Sequence, residues 1–109
     1  MELSPEDAKL VTLARASRAR VGAAEGAAVR DLDGRTYAAS TVRLESLQIE
    51  ALDLAVAMAV CSGAKGLEGA AVITESGSPS TSSVRDLGGP GISVFVADPS
   101  GVVGSVRES

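Results

Sequence analysis

The sequence predicts a mixed α/β domain, a three-layer αβα sandwich around a mixed sheet of about five strands. Three observations favour this class. A capped helical segment opens the chain, an Asp-Gly turn joins two strand-like runs, and short apolar runs then alternate with helical segments. With 109 residues and no repeat or linker, residues 1–109 are expected to form a single domain.

The first element is predicted to be a helix over residues 4–20. Ser4 is a favourable N-cap, acidic residues follow it, and arginines lie at the other end, which suits the helix dipole. Leu10, Leu13 and Ala14 form its predicted buried stripe. After this helix, residues 26–30 and 35–40 are predicted to pair as a hairpin, because Asp-Gly at the turn is typical of tight hairpins.

The second half of the chain is predicted to alternate helices and strands. Residues 47–62 are rich in Leu, Ala, Val and Met without strict alternation, which favours a largely buried helix. Residues 69–74 and 91–97 are typical of buried strands, and residues 102–106 are a candidate last strand. Between the first two, residues 79–87 are predicted to form a short helix with Ser78 as its N-cap.

Composition narrows the functional class. Tyr37 and Phe95 are the only aromatic residues, so the core must use small side chains, and self-association would help to stabilise it. The lone Cys61, expected to be buried, excludes an internal disulfide, and no apolar leader or long apolar run indicates secretion or a membrane. A cytoplasmic location is therefore expected. A net charge of −4 without basic clusters argues against nucleic-acid binding.

Several local motifs resemble those of the cytidine deaminase family across nearly the whole chain. The Gly-Ala-Ala-Val run at residues 26–29 and the Asp-Gly turn resemble the family's first strand pair. The family's Cys-Ala-Glu or His-Ala-Glu motif is matched by Gln48, Ile49 and Glu50, and its Pro-Cys-x-x-Cys motif is matched by residues 79–83. The resemblance implies a cytidine deaminase-like fold.

The resemblance also implies where the family's metal site has been lost. Gln48, Ser80 and Ser83 stand at the positions of the three zinc ligands, and Glu50 stands at that of the proton shuttle. Amide and hydroxyl groups are poor zinc ligands, so no metal or other cofactor is expected. Without zinc, forming hydroxide from water costs roughly 12 kcal/mol more. The favoured interpretation of Glu50 is that of an ordinary acidic residue at a helix start, where it suits the helix dipole.

Three functions stay open at this stage. The first is a catalytically degenerate, non-enzymatic structural or protein-interaction module that forms a dimer or tetramer or binds a protein partner. The second is a binder of a small, nucleoside-like molecule in a remodelled pocket lined by Gln48, Glu50 and residues 80–83. The third is an unconventional cytidine deaminase. Residues 39–43 lack the family's ribose-reading Asn-x-Glu, which weighs against nucleoside recognition in the family's manner.

Overall fold

A five-stranded mixed sheet forms the middle layer of the computed structural model, which describes residues 2–109. Helices cover both of its faces, and a separate two-stranded ribbon lies beside it. The elements are α1 (Pro5–Val21), β1 (Gly26–Asp31), β2 (Thr36–Ser40), β3 (Val42–Arg43), β4 (Gln48–Ile49), α2 (Ala51–Cys61), β5 (Leu67–Ile73), α3 (Ser82–Gly88), β6 (Ser93–Ala97) and β7 (Val103–Glu108).

The strand order across the sheet is β2-β1-β5-β6-β7, which confirms the predicted mixed sheet. Only β5 and β6 run parallel, and every other neighbouring pair in the sheet is antiparallel. The connection between the parallel strands carries α3, as parallel pairing requires a crossover. The hairpin predicted from Asp33 and Gly34 is confirmed as β1 and β2, with Gly34 at a φ of 83°.

The core has two parts, one on each face of the sheet, so the predicted three layers are confirmed. Helix α1 packs on one face through Leu10, Val11 and Ala14, while α2 and α3 pack on the other. Leu13 of the predicted stripe is only partly buried. Alanine is the commonest buried residue, and this lets the helices approach the sheet closely. The fully buried or nearly buried alanines are Ala14, Ala27, Ala28, Ala39, Ala51, Ala55, Ala59, Ala70, Ala71 and Ala97.

Both ends of α1 agree with the sequence prediction. The Ser4 hydroxyl oxygen accepts a hydrogen bond from the Asp7 amide at 3.1 Å, so it satisfies one of the free donors of the first turn. At the other end, Gly22 adopts a left-handed conformation with a φ of 63°. The helix therefore stops where glycine permits the turn.

Three details of the prediction are wrong. Helix α2 begins at Ala51 and not at residue 47, because Gln48 and Ile49 pair with β3 as a short strand. Helix α3 begins at residue 82 with Thr81 as its N-cap, so Ser78 does not cap it. Cys61 is exposed, because it is the last residue of α2 and lies beyond Ala59, the last one that packs into the core.

Among residues 2–109, no helix is long and apolar enough to cross a membrane.

Candidate functional site

The carboxyl ends of the parallel strands β5 and β6 define the edge of the sheet at which a ligand is most easily bound. Helix α2 begins near this edge, and the loop from β5 to α3 passes beside its first turn. One hydrogen bond proves this proximity: the Ser83 hydroxyl donates to Asp53 Oδ1 at 2.7 Å. The residues singled out in the sequence therefore lie on elements that meet at one rim.

Glu50 is the N-cap residue of α2, but its side chain does not cap the helix. Instead, Glu50 Oε1 accepts a hydrogen bond from Arg43 Nη2 at 2.6 Å, and both side chains are about half exposed. Gln48 is exposed in β4 and lies opposite Arg43 in the ribbon. The carboxylate is thus engaged by a guanidinium of the adjoining ribbon.

Ser83 in the short helix α3 and Ser80 just before it have separate roles. Ser83 joins α3 to α2 through Asp53, as described above. Ser80 lies before α3, where its hydroxyl donates to Ser82 Oγ at 3.2 Å. Among the hydrogen bonds of residues 2–109, none joins either Gln48 or Glu50 to these serines. The structure therefore connects Ser83 to the start of α2 and places Gln48 and Glu50 on the ribbon side of it.

A polar network that the sequence analysis missed lies at the same end of the sheet. Thr74 is buried directly after β5, and its hydroxyl donates to the carboxylate of Glu25, which precedes β1. Ser76 adds a hydroxyl at 3.0 Å from the Thr74 hydroxyl and donates its amide to it. The Glu25 backbone also binds Thr41 beyond β2. A lone Glu between small residues gives no sequence signal for this contact.

Two open grooves border the rim. The first, of about 340 Å³, lies between α2 and α3 and is mostly apolar, with Asp53, Ser83 and Asp86 as its polar residues. The second, of about 270 Å³, lies against β6 and β7 and reaches Thr74. Neither groove is lined by Gln48, Glu50 or Ser80.

The three rim residues at the positions of the family's zinc ligands do not fit a zinc ion. Zinc sites use thiolate, imidazole and carboxylate ligands, whereas Gln48, Ser80 and Ser83 offer only amide and hydroxyl groups. Cys61 lies at the opposite end of α2, about 15 Å from its start given the rise of a helix. Within residues 2–109, no three His, Cys, Asp or Glu side chains cluster as a metal site would require.

A buried carboxylate with a lowered pKa, Asp31, lies at the other end of β1. Burial of Asp31 opposes its ionisation, but hydrogen bonds from the Tyr37 hydroxyl and from the amides of Arg35 and Asp33 outweigh that effect and lower its pKa. The same bond to Asp31 raises the pKa of Tyr37. This cluster holds the β1–β2 turn in place and contributes nothing to the rim.

The fold and the rim together define a three-layer αβα protein whose candidate site lies at the start of α2. A model of the cytidine deaminase-like family matches residues 3–101. The chain therefore belongs to the cytidine deaminase-like family. No curated protein sequence matches it significantly.

Solved structures that share this fold include two cytidine deaminases. The chain superposes on a cytidine deaminase from Burkholderia pseudomallei with a TM-score of 0.76 and 22% identity, covering 98% of this chain and 92% of that one. For a cytidine deaminase from Mycobacterium leprae the TM-score is 0.68 and the identity 20%, covering 92% and 90% respectively. At such identities the likeness concerns the fold alone.

Proposed function

We propose that this chain is a non-catalytic member of the cytidine deaminase-like family that acts as a structural or protein-interaction module. The observation that carries the proposal is the chemistry of the rim. The three positions matched to zinc ligands hold Gln48, Ser80 and Ser83, and the one remaining acid, Glu50, is paired with Arg43. The Glu50 carboxylate is therefore engaged by a guanidinium of the ribbon and, within residues 2–109, makes no hydrogen bond with Ser80 or Ser83.

The exposed side of α2 supports the interaction part of the proposal. Asp53 is the only charged residue of this 11-residue helix, although a surface helix normally carries a polar outer face. We call residues Asp53, Ala57, Met58, Val60 and Cys61, all of them exposed, the outer face of α2. Val60 is 54% exposed and Met58 is 38% exposed. An outer face of this kind is suited to burial against a second copy of the chain.

Self-association through this face is tested with a matched pair of variants. Fully burying a valine is worth about 1.5 kcal/mol, so the exposed half of Val60 is worth about 0.8 kcal/mol in each protomer. A two-fold interface contains it twice, and losing both contributions weakens the dimer about 15-fold. Val60→Lys should therefore shift the chain towards monomer in sedimentation velocity.

The control is Val21→Lys. Val21 is 64% exposed at the end of α1, away from α2, and this substitution adds the same charge. It should leave the oligomer unchanged. A wild-type chain that sediments as a monomer at micromolar concentration, or an equal effect of the two variants, would contradict self-association through α2.

Metal content tests the non-catalytic part of the proposal. Protein that is purified without chelators, incubated with zinc and then dialysed to remove free zinc should retain far less than one equivalent of zinc per chain. The variant Cys61→Ser separates adventitious thiol binding from a true site, since Cys61 is exposed and lies far from the rim. One equivalent of zinc that survives in Cys61→Ser would refute the proposed loss of the site.

The second candidate function is a small-molecule binder, and the groove that reaches Thr74 favours it. Ligand binding raises the melting temperature by mass action, so a nucleoside or nucleotide panel at millimolar concentration should show a shift if this alternative is correct. We expect no shift.

A cytoplasmic location is part of the proposal of a non-catalytic module. The single, free Cys61 supports it, because disulfides are rare in the cytoplasm.

A further inference from the structure

Strand β7 forms one edge of the sheet and is unusually open. It pairs with β6 on one side, and within residues 2–109 no strand pairs with its other side. Five of its six residues are exposed and the sixth is partly buried. An open edge of this kind presents unpaired backbone groups to any extended chain that approaches it.

The register identifies which backbone groups point outwards. The Ser109 amide donates to the Ile92 carbonyl at 3.0 Å, so the backbone of Ser109 faces β6. Because the direction alternates along a strand, Arg107 and Ser105 also face β6, whereas Val106 and Glu108 direct their N–H and C=O groups to the open side. The edge therefore offers two amides and two carbonyls at the spacing of a β-ladder.

The second groove lies beside this edge, and its two carboxylates give it a negative charge. Glu75 and Asp98 line it together with the apolar side chains of Val96, Ala97 and Val102. Among the described residues, Glu75 makes no side-chain hydrogen bond or ion pair. Hydrogen bonds from Ser100 and from the Val102 amide lower the pKa of Asp98, so this group is ionised at neutral pH.

Only small residues of β7 lie between its open edge and the second groove. Gly104 and Ser105 are the two residues of β7 that line the groove. A strand added outside β7 would lie roughly 5 Å from it. A long side chain on the added strand could therefore pass over Ser105, and its aliphatic part would contact the apolar wall while its cationic end reached the carboxylates.

We infer that the β7 edge and the second groove bind an extended segment of a partner protein, which adds to the sheet as a further strand and places a Lys or Arg side chain in the groove. Backbone hydrogen bonds supply the attachment and the charged pocket supplies the selectivity. A second copy of β7 fits less well. Its only basic side chain, Arg107, already donates to the Pro79 carbonyl of its own chain at 2.8 Å. This surface shares no residue with the outer face of α2, so it is independent of self-association there.

The test uses two synthetic peptides and fluorescence anisotropy at low salt. The probe is fluorescein-labelled TVTKTVT, and the matched control is TVTETVT. We expect the lysine peptide to bind with a Kd below about 1 mM and the glutamate peptide to bind at least about fivefold more weakly. Equal affinity for the two peptides, or no binding of the lysine peptide at about 1 mM, would overturn the inference.

Two pairs of variants locate the binding. Val106→Pro removes an outward amide that has no partner in the sheet, and we expect it to weaken binding of the lysine peptide about fivefold, whereas Val106→Thr keeps the amide and the affinity. Glu75→Gln should weaken binding about threefold, and Glu108→Gln should not, because Glu108 lies on the opposite face.

The proline variants need a folding control, and they also distinguish a partner segment from a second copy of the chain. If Val106→Pro loses the circular dichroism of the native fold, Glu108→Pro removes the other outward amide and takes its place. Unchanged affinity in a folded proline variant would refute binding at the edge. An oligomer that Val106→Pro dissociates and Val60→Lys does not would show that a second copy occupies the edge, which also overturns the inference of a basic partner segment.

Discussion

The contact between α1 and β1 leaves no room for a side chain at Gly26. A Cβ atom added there would lie 2.1 Å from the Ala14 carbonyl oxygen and 2.8 Å from Arg18 Cβ, whereas ordinary van der Waals contacts begin near 3.4 Å. Gly26→Ala therefore forces α1 away from the sheet by more than 1 Å, since backbone atoms cannot rotate aside.

The expected cost follows from this displacement. Overpacking a core by one methyl group costs about 1–3 kcal/mol, and here the obstacle is backbone, so we expect the upper end of that range. Alanine also restricts the unfolded chain more than glycine does, and this stabilises the folded state by about 0.4–1 kcal/mol. The net loss of about 2–3 kcal/mol is a large share of the 5–15 kcal/mol typical of a domain, and it should lower the melting temperature by about 10–20 °C.

Urea unfolding followed by circular dichroism measures this loss. The matched control is Gly104→Ala, because an added Cβ at Gly104 meets no atom within 4 Å and its φ is not positive. The control should stay within about 0.5 kcal/mol of the wild type. A Gly26→Ala variant as stable as the control would show that α1 does not pack on β1 as described.

Three further outcomes are expected from single substitutions. Asp31→Asn should destabilise the fold at pH 7. Because the pKa of Asp31 is lowered on folding, the stability of the wild type should fall as the pH drops below about 4. Urea unfolding at acid pH should show a shallower fall for the variant. Arg30→Ala should cost about 1–2 kcal/mol in urea unfolding, because Arg30 is only 14% exposed and bridges Asp7 of α1 to Glu68 of β5; a loss below 0.5 kcal/mol would contradict that bridge. Arg43→Ala removes a half-exposed ion pair and should change stability by less than about 1 kcal/mol by the same measurement, and a larger change would mean that the pair holds the ribbon in place.

Local signals account for what the sequence predicted well. The start of α1 depends on Ser4, which acts on the nearest turn, and the hairpin depends on the Asp-Gly pair between its strands. These features need no knowledge of distant residues. For the same reason the order of helices and strands, and with it the mixed sheet, could be predicted from the chain.

The errors arise where distant contacts or uniform composition decide the outcome. Residues 47–49 are apolar enough to continue a helix, but pairing with Val42 and Arg43 makes a short strand of Gln48 and Ile49. Apart from Asp53, helix α2 is apolar all round, so its sequence does not indicate which face is buried, and the prediction of a buried Cys61 is wrong. The Glu25–Thr74 bond joins residues 49 positions apart, and no local pattern predicts it.

The central claim is that this member of the family has lost its chemistry, and a deamination assay tests it most directly. Purified protein supplied with zinc and cytidine is followed by the loss of the cytidine absorbance band. We predict a rate equal to that of buffer, unchanged in Glu50→Gln. Turnover above the buffer rate that Glu50→Gln abolishes would contradict the account, because it would show that Glu50 still moves a proton at this site.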